Sequence, residues 1–216
     1  MAARATAPAA ALGHRVGYEH PVPRLLLLAP GAGAPSSSPW MKRWATRLAP
    51  LGRVVPFDYP YMRAGRKSPD RPAVLVAAHR AALAEARAGS DGVAVLVGKS
   101  MGSRIGCHVA LEDPVSALVC LGYPLRGARG DLRSEVLLAL RTPILFVQGS
   151  RDPLCPLDAL EEVRRRMPAP SALHVVEDGN HSLEVAARTL RATGTTQHAV
   201  EADVLAAVSA FLAAHA

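Results

Sequence analysis

The chain has 216 residues and a formal net charge of +7 at pH 7, and this length favours one domain with a substantial hydrophobic core. Half of the residues are hydrophobic but only 4% are aromatic, so we expect a core of Ala, Val and Leu. No apolar run approaches the roughly 18 residues of a transmembrane helix, and the scattered basic residues accompany no nucleic-acid-binding motif. We therefore expect neither a membrane nor a nucleic acid as partner, although the positive charge would suit an anionic substrate.

Residues 1–21 show no clear periodicity, and we predict an irregular N-terminal segment there, followed by a single domain over residues 22–216. The start of the chain is rich in Ala and lacks the compact leucine-rich core of a signal peptide. The three cysteines are an odd number without the spacing of a metal site: Cys107, Cys120 and Cys155. We therefore predict free thiols, no bound metal and a cytoplasmic location.

The first predicted strand is Arg24–Ala29, a short apolar run after two prolines. A loop of Gly, Pro and Ser residues follows over residues 30–39, where turn-forming residues dominate. Beyond this loop, Trp40, Trp44 and Leu48 recur every four residues. This spacing predicts one helix whose core-facing side carries the three residues.

The next predicted elements are a strand over Arg53–Phe57, a basic loop over Tyr59–Arg71 and a helix over Pro72–Ala88, which Gly89 ends. The loop contains Pro and Gly residues as well as several cations. We expect it to border a site at the end of the neighbouring strands and to favour anionic molecules there.

The central feature of the sequence is the apolar run Val93–Val97, which leads directly into a Gly-x-Ser-x-Gly motif formed by Gly98, Ser100 and Gly102. A helical pattern follows from residue 102 to residue 112. Strand, sharp turn and helix in this order are typical of a nucleophile elbow, in which a strained turn lifts the serine hydroxyl out of the sheet. The two glycines are needed where side chains would collide with the strand or the helix.

The remaining predicted strands are Val115–Leu121, Pro143–Val147 and Leu173–Val176, and the remaining helices are Leu157–Met167 and His198–Ala214. Strands and helices thus alternate along the chain, a pattern typical of a parallel sheet with helices on both faces. The predicted fold class is α/β, a three-layer α/β/α sandwich around a mainly parallel sheet. The connection over residues 125–141 is too short for a large lid.

Candidate catalytic residues follow three of the strands, because reactive groups gather at the carboxyl ends of parallel strands. Ser100 is the candidate nucleophile, His181 the base that takes its proton, and Asp152 the acid that orients the imidazole. The chain order Ser, Asp, His is that of α/β-hydrolase triads. Asp158 and Asp178 are alternative acids, and Asp178 is only three residues from His181.

An oxyanion hole requires two backbone N–H donors. Met101, directly after the candidate nucleophile, supplies the first. The loop after the first strand should supply the second, with Ala32 as the first choice and Gly33 as the alternative. Gly31 and Gly33 would let the backbone approach a substrate closely.

Other interpretations of the same segments are weaker. A phosphate-binding loop that ends at Gly98-Lys99-Ser100 would need glycine at position 93, where Val93 stands. Cys155 lies near the candidate acid but has no elbow of its own. Lys99, beside the nucleophile, either contacts an anionic substrate or faces solvent, and we expect Arg104 to tie neighbouring loops through hydrogen bonds.

The sequence resembles the α/β-hydrolase superfamily, and within it the small, lidless dienelactone-hydrolase-like branch. The segments 98–104, 122–125 and 148–152 are similar to those of the testis-expressed and NSL-complex-subunit hydrolase-like domains and their bacterial relatives. The resemblance covers residues 22–214. It implies an esterase-like serine hydrolase without a cofactor, with Ser100, Asp152 and His181 at the nucleophile, acid and base positions.

The chain also departs from these relatives. Dienelactone hydrolases carry cysteine where this chain has Ser100, so we do not expect dienelactone itself as the substrate. Pro30-Gly31 stands where many esterases have His-Gly. The chain before residue 24 is too short for the early strands of the fold, so we expect about six strands. The predicted function is cleavage of a small carboxylic ester or thioester through an acyl-enzyme, by a monomer or homodimer. The alternative is an interaction module with the hydrolase fold and little or no activity, because some relatives are regarded as scaffold subunits.

Overall fold

The computed structural model describes residues 23–90, 92–127 and 130–216; the predicted irregular segment at residues 1–21 lies outside them. Six strands form one sheet in the order β2-β1-β3-β4-β5-β6, and every neighbouring pair is parallel. The strands are β1 (Arg24–Ala29), β2 (Arg53–Pro56), β3 (Val93–Lys99), β4 (Ala117–Leu121), β5 (Ile144–Gly149) and β6 (Ser171–Val176).

Eight helices connect and cover these strands in the described part of the chain. They are α1 (Pro39–Leu48), α2 (Pro60–Arg63), α3 (Pro72–Ala88), α4 (Met101–Val109), α5 (Glu135–Ala139), α6 (Leu157–Arg166), α7 (Ala187–Ala192) and α8 (Gln197–His215). A 3₁₀ turn over Ala49–Leu51 follows α1 directly. None of the described helices is long and apolar enough to cross a membrane.

Helices cover both faces of the sheet, and the central strands β1, β3, β4 and β5 are buried on both faces. In β1, Leu25 and Leu27 pack in one buried cluster, whereas Leu26 and Leu28 pack in the other. This alternation follows from the period of two residues in a strand. The first cluster includes buried residues of α3, α4 and α6, and the second includes buried residues of α1 and α8. The predicted three-layer α/β/α sandwich with about six strands is therefore confirmed.

Several predicted element bounds were wrong. Strand β6 begins at Ser171 rather than Leu173, because residues 171 and 172 already pair with β5 although they are only half buried. Strand β4 begins at Ala117 rather than Val115. Three short helices, α2, α5 and α7, fall where the sequence predicted only loops or no element. They span four to six residues, too few for a helical period to stand out.

All six strands point the same way, so their carboxyl ends lie along one edge of the sheet. The loops that leave β1, β3, β5 and β6 at this edge carry the residues singled out in the sequence. They are residues 30–38, the Ser100 turn, the segment around Asp152 and the segment around His181.

Candidate active site

The turn between β3 and α4 has the backbone strain of a nucleophile elbow. Ser100 has φ 50° and ψ −114°, a backbone conformation that residues other than glycine rarely adopt. A Cβ on Gly98 would overlap the backbone of Ser103, and one on Gly102 would lie 2.6 Å from the carbonyl oxygen of Ala29. The strand, helix and neighbouring loop therefore pack too closely for any residue but glycine at these two positions.

The structure brings Ser100, His181 and Asp152 together in one hydrogen-bonded chain. Nε2 of His181 lies 2.7 Å from Oγ of Ser100, and Nδ1 of His181 lies 2.7 Å from Oδ2 of Asp152. The Asp152 side chain has no exposed area, whereas 24% of the His181 side chain is exposed. The arrangement combines a buried acid with an imidazole that a substrate can reach.

The Asp152 carboxylate is held by groups other than the histidine. Oδ1 accepts a hydrogen bond from the N–H of Leu154 at 2.9 Å, and Oδ2 accepts one from Nε2 of Gln148. The buried Gln148 side chain is itself fixed, because its Oε1 accepts a hydrogen bond from the N–H of Tyr123 at 3.0 Å. The orientation of the acid therefore depends on β5 and on the loop after β4.

The His181 loop is held from within by Asn180. Its side-chain oxygen accepts hydrogen bonds from the N–H groups of Ser182, at 2.7 Å, and Glu184, at 3.1 Å. The turn places Leu183 at φ 63°, a strained conformation for a residue other than glycine. The loop is thus a tight, internally bonded turn.

Neither alternative acid forms a hydrogen bond with His181 in the described part of the chain. Asp178 pairs with Arg151 at 2.5 Å. Asp158 is exposed at the start of α6, where its Oδ1 accepts a hydrogen bond from the N–H of Ala159 at 2.8 Å.

The loop after β1 lies directly against the elbow. A Cβ on Gly31 would lie 3.4 Å from Cβ of Ser100. The N–H groups of Met101, Ala32 and Gly33 have no hydrogen-bond partner among the described residues. Within the described part of the chain, no group therefore occupies any of the three backbone donors proposed for an oxyanion hole.

Two side chains from the segment after β2 hold this loop. The hydroxyl of Tyr61 donates a hydrogen bond to the carbonyl oxygen of Ala32 at 2.9 Å. Asp58 accepts hydrogen bonds from the N–H and the hydroxyl of Ser36, at 2.6 and 3.0 Å. Because one peptide plane contains the Ala32 carbonyl and the Gly33 N–H, the bond from Tyr61 also sets the direction of that N–H.

A cavity of about 480 Å³ lies in front of the serine. Its walls come from the loop after β1, the start of α1, the elbow and the His181 loop: Gly31, Ala32, Gly33, Ala34, Ser38, Trp40, Met41, Lys99, Ser100, Leu154, His181, Ser182 and Glu184. A second cavity of about 420 Å³ shares residues 32–34 with it and continues to Arg66 and Lys67. The basic loop therefore borders the same groove as Ser100.

The structure corrects the expectations for the two cations near the elbow. Lys99 does not face solvent: it is only 8% exposed, and its ammonium donates a hydrogen bond to the carbonyl oxygen of His181. Burial lowers the pKa of Lys99 to about 8, although Asp152 and Glu184 oppose the shift. The hydrogen bonds expected from Arg104 are absent among the described residues, where its buried Nε has no partner.

The cysteines are free and buried. Burial raises the pKa of Cys155 to about 12 and the pKa of Cys120 well above its usual value. Since the thiolate is the nucleophilic form, neither is poised for nucleophilic chemistry at neutral pH.

Sequence reasoning missed four side chains that support the site: Gln148, Tyr61, Asn180 and Trp40, whose Nε1 donates a hydrogen bond to the carbonyl oxygen of Ser182 in the His181 loop at 3.0 Å. Two of them could have been recognised from the sequence. Gln148 is a polar residue directly after the apolar run of the predicted strand Pro143–Val147, and Asn180 directly precedes His181 in a turn-forming segment. Tyr61 and Trp40 could not have been, because an aromatic residue in a loop or on a helix face does not show which distant carbonyl it will bind.

Comparison with known proteins agrees with this architecture. A sequence profile of the family described as "Alpha/beta hydrolase domain" matches residues 23–213. The chain belongs to this family, so the predicted membership of the α/β-hydrolase superfamily is confirmed.

Among curated proteins, the chain is similar to Protein sumv-2 of Caenorhabditis elegans, with 32% identity over 105 residues. The match covers 47% of this chain but 9% of sumv-2, so the chain spans less than a tenth of that relative. The match is consistent with the predicted resemblance to the testis-expressed hydrolase-like proteins.

Solved structures share the fold at low sequence identity. An α/β serine hydrolase homologue from Coxiella burnetii matches with a TM-score of 0.63 and 21% identity, over 74% of this chain and 76% of that one. A dienelactone hydrolase from Anabaena variabilis matches with a TM-score of 0.62 and 20% identity, over 83% and 85% of the two chains. At these identities the comparison establishes a hydrolase fold.

Proposed function

We propose that the protein is a serine hydrolase that cleaves a carboxylic ester or thioester through an acyl-enzyme intermediate. The observation that carries this proposal is the hydrogen-bonded chain from Ser100 through His181 to the buried Asp152. It starts at a strained elbow and opens on a cavity, as nucleophilic catalysis by serine requires.

In the proposed reaction, Oγ of Ser100 attacks the carbonyl carbon while Nε2 of His181 takes the hydroxyl proton. The tetrahedral intermediate collapses, the bond to the leaving oxygen or sulfur breaks, and His181 gives the proton to the leaving group. Water then attacks the acyl-enzyme, with His181 again as the base, and releases the carboxylic acid and the free serine. Asp152 holds the imidazole in the required tautomer and stabilises its protonated form.

The negative charge on the carbonyl oxygen would be held by the N–H of Met101 and by that of Ala32, with Gly33 as the alternative second donor. These amides have no hydrogen-bond partner among the described residues, and Gly31 lies close to Ser100; both observations support this role. The N-terminus of α4 adds a favourable dipole at the same point.

We further propose a small substrate with an anionic group. The two cavities meet at residues 32–34, and the farther one carries Arg66 and Lys67. Arg66 already pairs with Asp70 at 2.6 Å, whereas Lys67 forms no ion pair within the described ranges. Hydrolysis of an ester with a free carboxylate, compared with that of its uncharged analogue, tests this assignment. The wild type should prefer the charged ester, and Lys67→Gln should lose this preference.

A second candidate function is an interaction module with little or no catalysis. The observation in its favour is that the matched region is 9% of a much longer relative. An intact Ser–His–Asp chain is not needed for such a role, which is why we place the enzyme first. A cytoplasmic location and a monomeric or homodimeric state remain predictions, the latter open to measurement by light scattering.

Hydrolysis of p-nitrophenyl acetate and of an acetyl thioester tests the proposed function. We expect the wild-type protein to turn over at least one of them, and Ser100→Ala to lower kcat by about four orders of magnitude or more. Ser209→Ala, an exposed serine on α8, is the matched control and should keep the wild-type rate. Equal rates in wild type and Ser100→Ala would refute Ser100 as the nucleophile.

A further inference from the structure

We propose that Lys99 is a positioning residue for this reaction, whose ammonium group fixes the His181 loop so that the imidazole stays against Ser100. The inference rests on the proposed function and deepens it. It concerns a side chain that neither attacks nor transfers a proton, but that connects the elbow to the histidine.

The connection is direct. Lys99 is the last residue of β3 and precedes the nucleophile, and its Nζ donates a hydrogen bond to the carbonyl oxygen of His181, 82 residues later. The same Nζ lies 5.4 Å from the centre of the Trp40 ring, within cation–π distance. One buried side chain thus joins the elbow strand, the first helix and the histidine loop.

Trp40 holds the next carbonyl of the same loop. Its Nε1 donates a hydrogen bond to the carbonyl oxygen of Ser182 at 3.0 Å. Two successive carbonyls, of His181 and Ser182, are therefore bound by neighbouring side chains that also contact each other. One of these carbonyls belongs to His181 itself and the other to the residue after it, so the two bonds hold the backbone that carries the imidazole.

The approach of the histidine loop also depends on Gly122, at the end of β4. A Cβ there would lie 2.5 Å from the carbonyl oxygen of His181 and 3.1 Å from Nζ of Lys99. The residue has φ 72°, which suits glycine. The loop after β4 thus leaves room for the contact between Lys99 and His181 because it has glycine at this position.

A buried ammonium is costly unless it is bonded, because burial disfavours its charge. Lys99 forms no ion pair in the described part of the chain. The negative charges that favour its protonated form are Asp152 and Glu184, and Glu184 is paired with Arg43 at 3.1 Å. An apolar residue would fill this place without that cost. The hydrogen bond to the carbonyl oxygen of His181 therefore explains the charge of Lys99, since a charged donor forms a stronger hydrogen bond to a carbonyl than a neutral donor does.

The test compares Lys99→Met, which keeps the length and loses the charge, with Lys99→Arg, which keeps the charge. Lys42→Met, an exposed lysine on α1, is the matched control. We expect Lys99→Met to lower kcat for p-nitrophenyl acetate about 10- to 100-fold with KM changed less than about twofold. Lys99→Arg should recover most of the loss, and Lys42→Met should equal wild type.

Two further readouts separate positioning from mere stability. The low-field NMR signal of the His181 Nδ1 proton should shift or broaden in Lys99→Met and stay unchanged in Lys42→Met. Wild-type kcat should fall as pH rises through about 8, where the Lys99 ammonium facing Asp152, Glu184 and His181 is lost, and this fall should be absent in Lys99→Arg, whose guanidinium stays charged.

The outcomes are distinct. Unchanged kcat and an unchanged Nδ1 signal in Lys99→Met would overturn the inference, as would a variant that only melts earlier while each folded molecule keeps its rate. If Lys99→Met does not fold, the pH profiles of wild type and Lys99→Arg decide, and identical profiles would overturn it. If wild type itself has no activity, the proposed function fails, while the NMR signal still tests the contact.

Discussion

Gln148 donates a hydrogen bond to Oδ2 of Asp152, the same oxygen that lies 2.7 Å from Nδ1 of His181. The amide is buried in β5, and its other end accepts a hydrogen bond from the N–H of Tyr123. Gln148, itself held by the Tyr123 N–H, therefore binds this carboxylate oxygen independently of His181.

Gln148→Met should consequently lower kcat about 10-fold by freeing the carboxylate, and it should destabilise the protein by about 1–3 kcal/mol because the Tyr123 N–H loses its partner. Steady-state hydrolysis and urea unfolding measure the two effects. In an Asp152→Asn background, Gln148→Met should cost almost nothing further in kcat, because Gln148 acts through Asp152. Additive losses would show that Gln148 affects catalysis by another route.

Asp152→Asn should lower kcat by about 10⁴-fold with little change in fold, because the neutral amide no longer holds the catalytic tautomer of His181 or stabilises its protonated form. Circular dichroism checks the fold and ester hydrolysis the rate. Asp178→Asn is the matched control: its carboxylate pairs with Arg151 instead, so its rate should stay within about twofold of wild type. A larger loss in Asp178→Asn than in Asp152→Asn would move the acid role to Asp178.

Tyr61→Phe should lower kcat about 2- to 10-fold, since the loop that carries Ala32 loses the hydrogen bond that orients it. KM should change little if the loop acts on the transition state. Tyr59→Phe is the control, because the hydroxyl of Tyr59 bonds to His79 rather than to this loop. Equal kcat losses in the two variants would show a general effect of packing rather than one on the oxyanion donors.

His79 makes stability depend on pH independently of catalysis. The side chain is fully buried, and burial lowers its pKa from the ordinary value of 6.5 to about 3. As pH falls below 6.5, the unfolded chain binds a proton that the folded chain does not. The free energy of unfolding therefore falls by about 1.4 kcal/mol per pH unit down to about pH 3.

Urea unfolding between pH 7 and pH 4 measures this slope. His79→Gln should remove that part of the slope, whatever its effect at pH 7, whereas His198→Gln, at an exposed position, should keep it. A wild-type slope that survives in His79→Gln would mean that other groups cause the acid sensitivity.

The elbow was predictable from the sequence because its determinants are consecutive. Val93–Val97 specifies a buried strand, and the spacing of Gly98, Ser100 and Gly102 specifies the turn. The order of Asp152 and His181 after later strands was equally accessible, since parallel strands bring their ends to one edge.

The surroundings of Lys99 were only partly predictable. Strand alternation puts Lys99 on the same face as Val95 and Val97, which pack in the cluster that includes α1, so its direction toward Trp40 could have been inferred. Its burial could not, because the loop that covers it comes from the far end of the chain and carries His181. The support of Ala32 by Tyr61 was hidden for the same reason: such contacts depend on how separate loops fold over the sheet edge.

Covalent labelling with a fluorophosphonate, followed by mass spectrometry of the intact protein and its peptides, tests most directly whether Ser100 is an activated nucleophile. The folded wild type should gain one phosphonyl group on Ser100, with loss of fluoride. Ser100→Ala and heat-unfolded wild type should gain none, and Ser209→Ala should react like wild type. A folded wild-type protein that stays unlabelled, or carries the group elsewhere, would contradict Ser100 as an activated nucleophile and favour the interaction module.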